Sequence, residues 1–248
     1  FIFEKYSKSI DKLENNLEKE NYIFIVGMPR SGSTLIESII SLNNDVFDLG
    51  ESEGIPRSFD KWIQNKNKYS LFDIYKKEIN AYKISNKIIT DKNLFNYAYI
   101  PLIINKIKGC RIIHSYRNPL DNVLSIYRSN FTNGYYYSSS LVDTARVLIN
   151  ERHLMKNYKN LYPNYIFSLN YDHLVKNPEC EIRKLLNWLN FEWDEKYLSP
   201  HLNMRKVITT SKVQVRSPIN RKSLNGWKNY EDLLVPVIEF FKKQNFSV

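Results

Sequence analysis

Cysteine is nearly absent: Cys110 and Cys180 are the two in 248 residues, too few for a disulfide framework and without the paired spacing of zinc ligands. Both are expected as small buried hydrophobes. Histidine is almost as sparse. His114, His153, His173 and His201 form no metal spacing such as H-E-x-x-H, so they are read as structural and no metal is expected. No apolar run approaches the ~20 residues that cross a bilayer, so no membrane span is expected. With so few cysteines, a reducing cytoplasm is the expected setting. Internal repeats at solenoid periods and low-complexity tracts are missing too, which excludes repeat architectures. Residue 1 is Phe rather than Met, as expected of a chain from which an upstream module or signal has been removed.

Acidic residues are in deficit, 26 against 36 basic, giving a net charge of +10. That balance favours an anionic partner: a nucleotide, a polyanionic substrate or a membrane headgroup. The cations are spread evenly and accompany no nucleic-acid-binding motif, so nucleic acid is not the expected partner. With 43% hydrophobic and 14% aromatic residues, the chain can bury one substantial core, and residues 1–248 are read as a single domain.

Residues 1–20 alternate apolar and charged positions at helical spacing and read as an N-terminal helix. Tyr22-Ile-Phe-Ile-Val26 is a short β-rich run. It leads directly into Gly27-Met-Pro-Arg-Ser-Gly-Ser-Thr34 and then into Leu35, Ile36, Ile39 and Ile40, spaced for one helix face. Further strands are predicted at 87–90, 111–116 and 165–170. Helices are predicted near 58–66, 94–107, 119–130, 140–160, 178–190 and 230–244, the third of these opening on Pro119. Such alternation predicts an α/β, P-loop-like three-layer fold, a mostly parallel sheet flanked by helices. The Tyr135-Tyr-Tyr-Ser-Ser-Ser140 cluster is a polar loop with aromatics, either ordinary surface or a lip over an acceptor site.

Gly27 and Gly32 stand in the G-x-x-x-x-G relation of a phosphate loop, in which backbone N–H groups and a helix N-terminus converge on an anion. The Lys that reaches the β and γ phosphates in nucleotide triphosphatases is missing, its place taken by Ser33. Arg30, with Ser31, Ser33 and Thr34 as hydroxyl donors, suits an anion with fewer phosphates beyond the ribose, and a 5'-phosphosulfate fits. A second anion site follows from Arg111-Ile-Ile-His-Ser-Tyr-Arg117, a strand ending in a guanidinium, and the helix after it. There Ser125 lies two turns in and can approach the same phosphate. A small-molecule P-loop kinase is the competing enzyme, weakened by Ser33 and by the want of a clear strand-borne metal Asp. A non-catalytic nucleotide- or nucleic-acid-binding protein is the competing non-enzyme.

Pro29-Arg-Ser-Gly-Ser-Thr-Leu35 resembles the 5'-phosphosulfate loop of the sulfotransferase superfamily, and Tyr116-Arg-Asn-Pro-Leu-Asp121 with Ser125 resembles its 3'-phosphate motif. The chain is most similar to bacterial sulfotransferase domains linked to tetratricopeptide repeats and to the tyrosylprotein enzymes. Shared features are Gly50-Glu51 after the first helix, Asp91-Lys92, Tyr171-Asp-His-Leu-Val175, Ser211, Val213 to Arg216, and Gly226-Trp-Lys-Asn-Tyr230. The resemblance covers roughly residues 21–230 and implies 3'-phosphoadenosine 5'-phosphosulfate as donor. It also implies a hydroxyl acceptor, whether sugar, peptide tyrosine, lipid or small metabolite.

The resemblance further implies the roles. Glu51 matches the base of the tyrosylprotein enzymes by its distance from Arg30, with Glu53 as its competitor. Arg30 and Lys92 would neutralise charge on the leaving phosphate, with Ser211 or Thr210 as a third donor. Tyr171 would contact the adenine or ribose. Arg216, Arg221 and Lys228 are candidates for the 3'-phosphate or the far side of the donor. Gly226 stands where those relatives carry a Lys before the residue matching Trp227, so Arg221 or Lys228 is expected to substitute.

Overall fold

The computed structural model describes residues 21–66, 68–80, 88–129, 131, 134–203 and 214–247; the predicted helix over 1–20 and the candidates Ser211 and Thr210 lie outside these residues. The chain opens with β1 (Asn21–Gly27), followed by α1 (Ser33–Ile40), β2 (Val46–Asp48), α2 (Gly54–Gln64), α3 (Leu71–Ile79) and β3 (Ile88–Asp91). A 3-10 turn (Leu94–Tyr99) then leads into α4 (Ile100–Lys106), β4 (Cys110–Tyr116), α5 (Pro119–Tyr127) and α6 (Leu141–Leu161). β5 (Ile166–Asn170), α7 (Tyr171–Lys176), α8 (Pro178–Leu189) and α9 (Glu231–Lys243) complete the order.

Among the described residues, five strands form one sheet in the order β2-β3-β1-β4-β5, and every pairing between them is parallel. Where mostly parallel was predicted, the sheet is wholly so. β1 lies at its centre, with Phe24 opposite Asp91 on one side and Ile112 on the other. A strand buried on both faces needs apolar residues at every position, as Tyr22 to Val26 has. Tyr22, Phe24 and Val26 pack into one core with Tyr75, Ile103, Met155 and Tyr158. Ile23 and Ile25 face the opposite core, with Ile36, Ile39, Ile40, Leu185 and Leu186. The period-2 alternation of the strand thus divides one run between two helix layers. Each such side chain contributes about 1.5–3 kcal/mol by leaving water. Met28, α5, α6 and α9 build a third cluster beyond the carboxyl ends of the strands.

Three departures from the predicted elements have local causes. β2 has only three residues, too short for periodicity to register. α7 was not predicted: it opens at Tyr171, directly after the predicted strand, because the Asn170 side chain accepts from the N–H groups of Asp172 and His173 and caps it. Cys180 is exposed, whereas Cys110 is buried. The inward stripe of α8 is Ile182, Leu185, Leu186 and Leu189, and Cys180 lies off that helical spacing. Among the described residues, no helix is long and apolar enough to cross a membrane.

Candidate active site

The carboxyl ends of β1, β3, β4 and β5 gather the candidate residues along one edge of the sheet, the usual ligand crevice of an open parallel sheet. The loop leaving β1 is sterically committed. Gly27 has φ +141°, and a Cβ there would meet the Ser115 carbonyl oxygen at 2.3 Å. Gly32 caps α1 at φ +95°, where a Cβ would come within 2.3 Å of Tyr171 Cδ2. Between them Arg30 holds the left-handed region at φ 64°, which is uncommon outside glycine and a mark of functional constraint. The loop is fastened by its carbonyls. Asn122 Nδ2 donates to Pro29 O at 2.7 Å, Ser115 Oγ to Ser31 O at 2.9 Å and Arg117 Nη1 to Arg30 O at 3.4 Å.

Arg30 Nε donates to Ser125 Oγ at 3.2 Å. Arg117 closes the other side, donating through Nη2 to Ser223 O at 2.7 Å and lying 5.1 Å over the Tyr171 ring. The Tyr171 hydroxyl and Ser223 Oγ are 2.7 Å apart. Arg30, Gly32, Thr34, Arg117, Ser125 and Tyr171 therefore face a single cavity of about 420 Å³, whose outer wall is drawn from Val215, residues 217–220, Lys222 and Ser223. Burial, and next the neighbouring Arg117 cation, push the Arg30 guanidinium below its ordinary pKa, as expected where two cations share a partly desolvated site. Among the buried polar atoms with no hydrogen-bond partner among the described residues are Arg117 Nε at the cavity, and Ser31 Oγ and Asn122 Oδ1 at the loop beside it. Orphaned donors beside two guanidinium groups are the chemistry an anion completes.

Glu51 and Lys92 are absent from that lining and sit on the β3 side of the loop. Lys92 Nζ meets Glu51 Oε1 at 2.9 Å; the lysine is 0% exposed and the glutamate 45%. Glu53 turns away to Arg57 at 2.9 Å on the exposed start of α2. Behind Lys92 the Asp91 carboxyl accepts from Tyr75 Oη at 3.0 Å and from the Asn93 N–H at 3.1 Å. Burial pushes it up to about 7, against those hydrogen bonds.

An aromatic group stands over this end. Tyr135 stacks on Phe131 at 4.6 Å between centroids and lies 5.5 Å from Phe95. Its hydroxyl is shifted upward, first by burial and then by the charge of Glu51. The outlying cations are elsewhere. Arg221 donates to Lys176 O and Arg216 to Asn203 O, and Lys228 lies outside the cavity lining, which Lys222 joins. Ser33 is buried at the start of α1.

Sequence reasoning missed Ser223 and Asp121. Asp121 accepts from the N–H groups of Asn225 and Trp227 at 2.8 and 2.9 Å and lies 3.6 Å from Arg117. Its place in Arg117-Asn-Pro-Leu-Asp121 was the available signal. Ser223 carried none, being a neutral residue in a stretch searched for cations.

The model of the Sulfotransferase family matches residues 22–83 and 68–195. The chain belongs to this family. An uncharacterized protein of Aquifex aeolicus is 30% identical over 89% of the chain, which spans only 32% of that protein's length. A putative protein-tyrosine sulfotransferase of Caenorhabditis briggsae is 24% identical over 84% of the chain and 81% of its own, a distant homology. Among solved structures, the sulfotransferase domain of the curacin biosynthetic pathway superposes with a TM-score of 0.64 at 16% identity, covering 92% of this chain and 99% of that one. A mouse sulfotransferase complexed with PAP gives 0.59 at 16% identity, covering 91% and 85%. The last two likenesses speak for the fold of this sulfotransferase-family chain.

Proposed function

We propose that the chain transfers a sulfuryl group from 3'-phosphoadenosine 5'-phosphosulfate to a hydroxyl on an aromatic or apolar acceptor. The observation that carries this is the convergence of Arg30, Ser125 and Arg117, from three separate elements, on one cavity, with the buried Lys92 paired to the half-exposed Glu51 on the β3 side of the same loop. The orphaned Ser31 Oγ and Arg117 Nε fit a phosphate-bearing donor, and the mouse relative's complex with PAP agrees in ligand class. When bound, such a donor supplies sulfur activated by a phosphate leaving group.

The chain's own residues do the rest. Glu51 accepts the proton of the acceptor hydroxyl as that oxygen bonds to sulfur. Lys92 and Arg30 offset the negative charge left on the phosphate oxygen when its bond to sulfur breaks, with Ser211 or Thr210 as an added donor. Arg117, Ser125 and Tyr171 hold the nucleotide end. Phe95, Phe131 and Tyr135 form an apolar wall beside Glu51, which suits a phenol better than a sugar.

The test has two arms. 3'-Phosphoadenosine 5'-phosphate without magnesium is expected to raise the melting temperature, and ATP with magnesium is not; the reverse result would establish the kinase reading. Labelled donor is then offered to 4-nitrophenol, a tyrosine peptide, a sugar and a fatty alcohol, with products identified by mass. Sulfate is expected on the phenols and is to fall to a small residual rate in Glu51→Gln, which keeps its affinity for the bisphosphate. Full turnover in Glu51→Gln would remove it as the base.

A further inference from the structure

Glu51 stands in an irregular loop, yet the backbone on both sides of it is fixed. The Leu49 N–H donates to Thr90 O at 2.9 Å, extending the pairing of β2 with β3 past Asp48, and the Lys92 N–H donates to Gly50 O at 2.8 Å. On the far side, Asn93 Nδ2 donates to Ser52 O at 2.9 Å. The residue before Glu51 and the residue after it are thus gripped by consecutive residues of one turn, Lys92 and Asn93. The Lys92 side chain, emerging from the same turn, meets the Glu51 carboxylate at 2.9 Å.

Asn93 is itself anchored. Its N–H donates to Asp91 Oδ1 at 3.1 Å, and its Oδ1 accepts from the Phe95 N–H at 3.2 Å, capping the following 3-10 turn. The buried Asp91 also accepts from Asn96 Nδ2 at 3.2 Å and from Tyr75 Oη at 3.0 Å. The Tyr75 ring backs the loop directly, since a Cβ at Gly54 would come within 2.9 Å of its Cε2. Asn93 is therefore held through its backbone by Asp91 of β3 and through its side-chain oxygen by the 3-10 turn.

We infer that Asn93 is a positioning residue for the reaction: its carboxamide fixes the Ser52 carbonyl and thereby the place of the Glu51 carboxylate relative to Lys92. The inference rests on the reading of Glu51 as the base. A base on a loop gains little from a rigid scaffold unless the loop is tied to it, and misplacement by ~1 Å can cost about 100-fold in rate. Asn93 supplies that tie without touching the cavity of Arg30 and Arg117.

The test is Asn93→Asp, which preserves the oxygen that caps Phe95 and the side-chain volume but removes the donor to Ser52 O. With 4-nitrophenol as acceptor, kcat is expected to fall by about 10-fold or more, while affinity for 3'-phosphoadenosine 5'-phosphate stays within about 2-fold. The same change in a Glu51→Gln background is expected to leave the residual rate unaltered, because Asn93 acts through Glu51. An equal fall in both backgrounds, an unchanged kcat, or donor affinity lost in parallel with turnover would each overturn the inference. If Asn93→Asp does not fold, Asn93→Ser, which keeps a capping oxygen and lacks the reach to Ser52, is put through the same cycle. Wild-type turnover in Glu51→Gln would overturn the base reading and this inference together. An inactive Glu51→Gln beside a fully active Asn93→Asp would overturn this inference alone.

Discussion

Adding one methyl group at Gly32 is expected to separate loop strain from loss of the donor site. Gly32 has φ +95°, a conformation that costs an L-residue with a Cβ about 1–2 kcal/mol. The new Cβ would also lie 2.3 Å from Tyr171 Cδ2, so the ring must retreat by ~1 Å to reach the ordinary carbon–carbon separation. The ring is not a loose end. Its hydroxyl is 2.7 Å from Ser223 Oγ and its face lies under the Arg117 guanidinium. Forcing it aside adds an overpacking cost of about 1–3 kcal/mol. Gly32→Ala is therefore expected to lower stability in urea by about 2–5 kcal/mol, the sum of the two. Titration calorimetry is expected to show bisphosphate affinity down by about 10-fold or more, the loss of one hydrogen-bonded contact at ~1.4 kcal/mol. In a Tyr171→Ala background the overpacking part vanishes, and Gly32→Ala is expected to cost only the ~1–2 kcal/mol of backbone strain. If the two substitutions were additive, the ring would not be what the glycine accommodates.

Arg30→Ala and Ser125→Ala are both expected to weaken bisphosphate binding, by about 10-fold or more for the charged group and by a few-fold for the hydroxyl, measured by calorimetry. The Asp91 carboxyl, raised to about 7 chiefly by burial, sets a pH dependence with a definite sign. Below about pH 4, the ordinary range of the unfolded side chain, both states are protonated and the contribution to stability is fully present. As pH rises towards 7 the unfolded chain ionises first, so stability falls across that window and this contribution is lost above it. Asp91→Asn is expected to flatten this slope in denaturant midpoints taken between pH 4 and 7; an unchanged slope would assign the titration to another group.

The first strand, its loop and α1 were legible because one continuous apolar run followed by Gly-rich punctuation has few other structural solutions. Tyr22 to Val26 serves both faces of the sheet, and no amphipathic alternative suits it. α3 escaped because its inward residues, Leu71, Tyr75 and Ile79, sit in a short segment whose further apolar residues, Phe72 and Ile74, blur the helical stripe, and its cap, Ser70, is a single hydroxyl. At the site, Arg117 and Ser125 could be grouped from local geometry as a second anion site; that Arg30 reaches Ser125 and shares one cavity with both was not legible, because it depends on how two strand-end loops meet across the sheet. Glu51 and Lys92 are 41 residues apart, and nothing in their spacing relates them; only the resemblance set them side by side. The outer wall was the least legible part. Its contacts come from a serine carbonyl and hydroxyl, whereas the basic residues around it, Arg216 and Arg221, spend their guanidinium groups on backbone carbonyls.

The contacts that close the cavity join positions far apart along the chain: Arg30 to Ser125 across 95 residues, Asp121 to Asn225 across 104, Arg117 to Ser223 across 106. Both apolar layers against the central strand draw chiefly on residues before 200, so hydrophobic collapse can begin well before those ends meet. Closing such long loops is entropically slow. The outer wall of the cavity is therefore the part that the chain delivers last, and a chain ending before Ser223 is expected to leave the cavity open on that side.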